Sequence, residues 1–188
     1  YPIVQRAHAA YFTPGVDTHP LLMASSFVRE HRVYVKELRG TFIKSNVIPP
    51  EVELVYVEPD PSASEEVVVD IGLTELIKNL LPLSRVVIKT RAYSEYGVSI
   101  TPNMYESENN MHRVVFDIRA MSIREDVEEA FREAVEELLP NADLKVTTGV
   151  GGYLYTSRDS TIVKVFTEVL REHGYKPLLW EGAGASDS

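Results

Sequence analysis

Histidine, aspartate and glutamate are the residue types in this chain that could hold a metal ion, and their spacing argues against it. The five histidines lie far apart along the sequence, at His8, His19, His31, His112 and His173. Metal ligands on one element usually stand three or four residues apart, and no two histidines have that spacing. Asp17-Thr18-His19 places a carboxylate within two residues of a histidine, but Asp17 or Thr18 is expected to cap a helix there. We therefore predict no metal site within this chain.

Acid–base and nucleophilic catalysis are also poorly supported by the residues present. Adjacent glutamates occur three times, at Glu65-Glu66, Glu128-Glu129 and Glu136-Glu137. Two of these pairs lie on the polar side of an amphipathic pattern and the third lies by a loop of prolines and serines, so none is expected to be buried enough for acid–base work. The chain has no cysteine, and Gly184-Ala185-Ser186-Asp187-Ser188 matches only the first half of a nucleophile elbow, because Ser188 replaces the second glycine. The sequence predicts no complete catalytic centre.

Three polar positions could still take part in binding or catalysis. His8 lies in an apolar segment, residues 3–10, that is typical of a strand, and a packed core histidine would explain it equally well. Asn46 precedes a proline turn, which its side chain could simply cap. Arg119 ends an alternating strand, residues 113–119, on the face opposite the apolar side chains, where a surface ion pair is the usual explanation. The residue types alone leave binding and structural roles open.

The charge and composition of the chain argue against several classes of function. A net charge of -9 disfavours nucleic acid as a partner, since binding phosphates requires clustered lysine and arginine. No apolar run approaches the roughly 20 residues of a membrane span. The absence of cysteine excludes disulfides and is consistent with a reducing cytoplasm, which is the localisation we predict.

The pattern of apolar residues predicts an α+β protein of two units. Strand, helix, strands, helix and strand in this order are typical of a ferredoxin-like two-layer sandwich, an antiparallel sheet with helices on one face. We assign residues 1–147 to this unit, with an insertion at about 58–112, and residues 148–188 to a strand–helix–strand piece of a different, α/β domain. Beyond 3–10 and 113–119, strands are expected at 33–38, 52–57, 67–69, 86–92, 144–147 and 177–180, and helices from Pro20 onward and at 73–81, 122–138 and 160–173.

Two of the predicted helices and one predicted loop have features that a structure can check. Ser122 and Glu125 have the spacing of a capping box. In the last helix, four apolar side chains repeat at helical spacing and are expected to face a core: Ile162, Val165, Phe166 and Val169. Residues 94–112 are polar and are expected to form a loop.

Four short motifs follow one another along the chain: Arg6-Ala7-His8-Ala9-Ala10 before a Pro14-Gly15 turn, Ser45-Asn46-Val47-Ile48-Pro49, Phe116-Asp117-Ile118-Arg119, and Gly184-Ala185-Ser186-Asp187. In this order they resemble the lid domain of the zinc-dependent aminoacylase and carboxypeptidase family, which includes acetylornithine deacetylase and succinyl-diaminopimelate desuccinylase. The likeness covers the larger part of the chain and fails across residues 58–110, where the family usually passes directly from the asparagine turn to the arginine strand. Asn103 is therefore a rival to Asn46 for the asparagine position.

This resemblance implies a function and a role for each motif. The full-length protein would be a metal-dependent amidohydrolase or metallopeptidase that cleaves N-acyl amino acids or small peptides, and this chain would be its lid and dimerisation part. His8 would be catalytic, reaching the active site of the partner subunit in a homodimer and donating a hydrogen bond to the oxyanion. Arg119 would hold the substrate carboxylate, Asn46 would help to orient it, and residues 184–187 would offer backbone amides.

The resemblance also implies two zinc ions, whose ligands are not found in this chain. In the family, a histidine-any-aspartate motif and a glutamate pair precede the lid, and a last histidine ligand follows the glycine-rich turn. We therefore expect the chain to be inactive alone, with residues 148–188 as its return into the catalytic domain. A different class remains open: a non-catalytic ferredoxin-like module that binds a small metabolite or mediates assembly.

Overall fold

The computed structural model describes residues 8–13, 15–59, 68–92, 97–142, 145–147, 149 and 152–179. These residues form a mixed α+β structure, with four α-helices and two antiparallel two-stranded sheets. The predicted α+β class is confirmed. Within the described ranges, no helix has the length and apolar character needed to cross a membrane.

The elements follow one another along the chain in two hairpins and four helices. Their bounds are a 3-10 turn (Ala9–Tyr11), α1 (Pro20–His31), β1 (Tyr34–Gly40), β2 (Val52–Val57), α2 (Ile71–Leu83), β3 (Ser99–Glu108), β4 (Met111–Arg119), α3 (Arg124–Leu138) and α4 (Thr161–Glu172). β1 pairs with β2, and β3 pairs with β4. Helices α1 and α3 and strands β1, β2 and β4 lie close to where the sequence predicted them.

Two apolar clusters hold these elements together. The larger one joins α1, β1, α2 and β3 through Leu21, Ala24, Val28, Val35, Leu38, Leu73, Ile77, Leu80 and Tyr105. The smaller one packs α3 against the β3–β4 hairpin through Leu83, Ile88, Ile100, Phe131 and Val135. Both α2 and β3 lie inside the segment 58–112 that the sequence suggested as an insertion. They supply buried residues to both clusters, so α2 and β3 are integral parts of the fold.

Helix α2 continues through a proline, and a serine from α1 supplies the hydrogen bond that the proline cannot donate. The sequence predicted that Pro82 closes this helix, but α2 extends to Leu83. Proline has no N–H, so the Lys78 carbonyl lacks its usual donor four residues later. The buried Ser25 Oγ donates to that carbonyl at 3.1 Å and accepts the N–H of Leu81 at 2.9 Å. One side chain therefore completes the helix and fastens α1 to α2.

The β3–β4 hairpin covers residues 99–112 of the region 94–112 that was predicted as a loop. For these residues the prediction is wrong, because β3 pairs with β4 from end to end. Asn109 and Asn110 make the two-residue turn, and their φ values of 50° and 60° give the geometry that suits a tight hairpin. Pro102 cannot donate to a regular ladder, and the register shifts directly after it. This shift is a β-bulge in which Asn103 is the extra residue.

Several other predicted features differ from the structure. Four short stretches expected to be strands or parts of strands are not strands: residues 68–69, 86–92, 145–147 and 177–179. The capping box is also wrong, because Ile123 is the N-cap of α3 and makes no side-chain capping bond. Ser122 Oγ instead donates to the Lys89 carbonyl, which ties the start of α3 to the segment before β3.

Helix α4 is amphipathic as predicted, but its apolar side chains face no core within the described part of the chain. None of its residues is buried, and Ile162 and Phe166 are 68% and 62% exposed. For this part of the chain, the expectation that the apolar stripe faces inward is wrong. Gly174, with φ at 83°, follows the helix end as predicted, because glycine adopts this left-handed conformation without strain.

Replacing Ser25 with alanine should lower the free energy of unfolding by about 1 to 2 kcal/mol, because two partly buried backbone groups, the Lys78 carbonyl and the Leu81 N–H, lose the hydroxyl that bonds them. Urea denaturation of the wild-type chain and the variant measures this difference. Ser26→Ala, which removes an exposed hydrogen bond to Glu30, is the control and should cost less than about 0.5 kcal/mol. In a Pro82→Ala background, which restores the backbone N–H, the cost of Ser25→Ala should shrink. An undiminished cost would contradict the role assigned to the serine.

Candidate functional site

The structure brings two of the predicted site residues into contact. His8 and Asn46 are 38 residues apart in sequence, and Asn46 Nδ2 lies 3.2 Å from His8 Nε2. His8 forms an antiparallel bridge with Val47, and the Ala9 N–H donates to the Asn46 carbonyl at 2.9 Å. Backbone pairing between the N-terminal segment and the turn at 45–47 therefore sets the two side chains next to each other. His8 is exposed and Asn46 is half-buried.

Hydrogen bonding determines which nitrogen of His8 can donate. The backbone N–H of Ala10 donates to His8 Nδ1 at 3.1 Å, so Nδ1 carries a lone pair. A neutral imidazole then carries its proton on Nε2. Because two N–H groups cannot pair, the Asn46 amide has to present Oδ1 to Nε2, which a half-turn of the amide achieves. His8 thus offers an N–H donor at the surface, held in place from both sides of its ring.

Asn103 joins the turn that carries Asn46 to the β3–β4 hairpin. Its side chain is completely buried. Its Nδ2 donates to the Ser45 carbonyl at 2.7 Å and to Thr101 Oγ1 at 3.0 Å, which uses both N–H groups. Its Oδ1 lies 3.2 Å from His19 Nε2. Of the two asparagines that the resemblance left as rivals, Asn46 is therefore accessible, whereas Asn103 is enclosed and holds the turn in place.

His19 lies next to Asn103 as a buried, neutral histidine. It is 2% exposed, and its ring meets Phe12 edge to face with centroids 5.7 Å apart. Since Asn103 presents Oδ1, His19 Nε2 is the donor of their hydrogen bond. Burial lowers the pKa of His19 to about 4, and the hydrogen bond to Asn103 opposes part of this effect. Nδ1 has no hydrogen-bond partner among the described residues.

The sequence assigned Asp17 or Thr18 to the cap of α1, and the structure differs. The N-cap residue is His19, which makes no side-chain capping bond, and Pro20 occupies the first helical position. Asp17 instead accepts the N–H of Thr13 at 2.6 Å and closes the preceding turn. The Asp17 carboxylate therefore lies in a surface turn, whereas the His19 ring is buried.

Arg119 forms a bidentate ion pair with Asp117. Its Nε and Nη2 lie 2.6 and 2.8 Å from the two carboxylate oxygens. The two residues lie on β4 opposite Ser99 and Thr101 of β3, and together with Asn103 they form a polar row along the hairpin. Ser99, which pairs with Arg119, is four positions from Asn103 in β3, so Arg119 lies roughly 14 Å along the strand from Asn103.

The remaining predicted contacts cannot be placed, and the described residues do not fit a metal site. Gly184, Ala185, Ser186 and Asp187 lie outside the described residues. Within the described ranges, no three histidine, aspartate or glutamate side chains come together in a way that could hold a metal ion. Both ring nitrogens of His8 are hydrogen-bonded, as described above. The zinc implied by the resemblance therefore has no ligand set in this part of the chain.

A second polar cluster, which the sequence did not predict, links Asp70, His112 and Tyr105. His112 Nε2 lies 3.0 Å from Asp70 Oδ2, and its Nδ1 lies 3.0 Å from the Tyr105 hydroxyl. The order of groups is that of a nucleophile relay, but Tyr105 is 8% exposed and burial raises its pKa, which makes it a poor nucleophile. Asp70 also caps α2 by accepting the Leu73 N–H at 2.8 Å. The cluster fastens α2 to the hairpin.

Comparisons with known proteins identified no relative of this chain. No family model, no curated protein and no solved structure matches the chain. The family suggested by the order of the motifs therefore stays a prediction, and the arguments for it come from the geometry of His8, Asn46 and Arg119.

The low pKa of His19 predicts a loss of stability in mild acid. Between pH 6.5 and pH 4 the unfolded chain binds a proton at this residue and the folded chain does not, so the free energy of unfolding falls as the pH drops. The contribution of His19 over this window is about 3 kcal/mol. Urea denaturation of wild type and His19→Gln at pH 7, 6, 5 and 4 measures it.

The His19→Gln variant should lose less stability than wild type across this pH range, because its side chain does not titrate. His31→Gln, which alters an exposed histidine at the end of α1, is the control and should follow the wild-type curve. Parallel curves for wild type and His19→Gln would show that the buried histidine is not responsible.

Proposed function

We propose that this chain is the lid and dimerisation part of a zinc-dependent hydrolase that cleaves the amide bond of N-acyl amino acids or small peptides. The observation that carries the proposal is the contact between His8 and Asn46. These residues belong to two separate motifs of the predicted lid, and their side chains meet at 3.2 Å. A chance likeness of short motifs gives no reason for them to meet.

His8 is suited to the oxyanion role because of how its ring is held. The Ala10 N–H fixes Nδ1 as an acceptor, so the exposed His8 offers Nε2–H to an incoming group. A donor that is already oriented costs little reorganisation when negative charge develops on the amide oxygen. In this proposal the substrate oxyanion replaces Asn46 as the acceptor, and Asn46 is then able to orient the substrate.

Arg119 is suited to binding a carboxylate. Asp117 fixes the plane of the guanidinium through two hydrogen bonds, and a planar, oriented guanidinium is the group that binds carboxylates in a paired, charge-assisted contact. Its place at the end of β4 puts it at the edge of the hairpin. The N-acyl amino acid provides the carboxylate in this scheme.

The geometry of the polar row supports a dimer in which each subunit serves the other. The ends of the row, Arg119 and Asn103, are roughly 14 Å apart along β3, and Asn103 is the end that is tied to the turn of Asn46 and so to His8. An N-acyl amino acid does not span that distance, because an extended chain covers at most about 3.6 Å per residue. We propose that Arg119 acts in the active site of its own subunit and His8 in that of the partner.

The wider architecture and the zinc ions belong to the same proposal. Two antiparallel hairpins with α1, α2 and α3 packed against them are consistent with a ferredoxin-like two-layer arrangement. Zinc, held by residues outside this chain, would activate the water that attacks the amide. The residues of this chain bind the substrate, orient it and stabilise the developing charge.

In the full-length, zinc-loaded protein, His8→Ala should lower kcat for N-acyl amino acid hydrolysis by about 100-fold or more, because one oriented oxyanion donor is lost. Initial rates of release of the free amino acid measure this. His173→Ala, at the end of α4, is the control and should leave kcat unchanged.

Full activity in His8→Ala would remove the proposed role of this histidine. An inactive full-length wild type, together with tight binding of amino acids by this chain alone in calorimetry, would favour the metabolite-binding module instead.

A further inference from the structure

His19 takes no part in the proposed chemistry, yet it lies next to the residues that do. It is almost completely buried, and its hydrogen bond goes to Asn103, whose amide is itself enclosed. The burial of this polar ring requires an explanation, since an apolar ring of the same size would be less costly to bury.

Hydrogen bonds and one peptide unit connect His19 to the proposed donor. His19 Nε2–H donates to Asn103 Oδ1, and Asn103 Nδ2 donates to the Ser45 carbonyl at 2.7 Å. That carbonyl belongs to the peptide unit whose N–H is that of Asn46. The Asn46 carbonyl accepts the backbone N–H of Ala9, and the Asn46 side chain contacts the His8 ring.

We infer that His19 is a positioning residue: through Asn103 and the Ser45 carbonyl it fixes the turn that sets Asn46 against His8. The inference rests on the proposed function for its catalytic consequence, and on the hydrogen bonds alone for its structural part. Without a donor at position 19, the buried Asn103 Oδ1 loses its partner, and the amide gains from turning over to satisfy its oxygen elsewhere.

Two substitutions of His19 separate the effect of its ring shape from the effect of its hydrogen-bond donor. His19→Phe keeps a flat ring but has no donor, whereas His19→Gln keeps an N–H that can reach Asn103. His112→Phe is the control for a general loss of stability, because it breaks the hydrogen bonds to Asp70 and Tyr105 at another place in the fold. A purely structural effect of losing a partly or fully buried histidine would be shared by both phenylalanine variants.

The first measurement is nitrogen-15 NMR of this chain, and it does not require catalytic activity. In the wild type, the His19 ring should be protonated on Nε2 and bare on Nδ1. In His19→Phe, the side-chain amide signal of Asn46 and the ring signals of His8 should shift, while His19→Gln should restore them. In His112→Phe these signals should stay at their wild-type positions.

The second measurement is the kinetics of the full-length, zinc-loaded protein. His19→Phe should lower kcat by about tenfold with little change in KM, because a misplaced His8 weakens an interaction made only in the transition state. His19→Gln should recover most of this loss. His112→Phe should not lower kcat at a nearly unchanged KM.

Two results would overturn the inference. One is a wild-type His19 ring protonated on Nδ1, which needs no variant to fold. The other is His8 and Asn46 signals that are the same in His19→Phe as in the wild type. If the full-length wild type has no amidase activity but the signals respond as expected, the proposed function fails and the positioning role of His19 stands.

Discussion

The buried amide of Asn103 is the interaction on which the rest of the site depends. An asparagine side chain can enter the interior only if its donors and acceptor are satisfied, and here three separate segments provide the partners. Thr101 comes from the same strand, Ser45 from the turn before β2, and His19 from the start of α1. Because a misplaced partner would leave a buried polar group unpaired, this one residue fixes the three segments relative to one another.

Local patterns predicted the elements whose buried faces are continuous and failed where tertiary contacts decided the outcome. The apolar repeat of α3 and the alternation of β4 were sufficient, since Phe131 and Phe116 pack in the core as their periodicity implies. Strand β3 was missed because Pro102 and Asn103 have the composition of a loop, and only the bulge accommodates them. The pair Asn109-Asn110 between alternating residues was a hairpin signal that could have been used.

The candidate site was also predictable only in part, because tertiary contacts determine its geometry. Motif order singled out His8, Asn46 and Arg119, but nothing in the sequence shows that the first two touch or that Asp117 binds the third. The hydrogen bond between His19 and Asn103 could not be predicted, because the two residues are 84 positions apart and each has a simple local explanation. Residues that are typical of turns and helix caps form a connected hydrogen-bond network here because they are buried, and which residues are buried depends on the complete fold.

The most direct test of the account is subunit complementation between two inactive full-length variants, His8→Ala and Arg119→Ala. If His8 serves the partner subunit and Arg119 its own, every mixed dimer contains one intact active site. Random assembly makes about half of the dimers mixed, so co-refolding the two variants should restore about a quarter of wild-type amidase activity. Activity no higher than that of the separate variants would contradict the claim that His8 acts across the dimer.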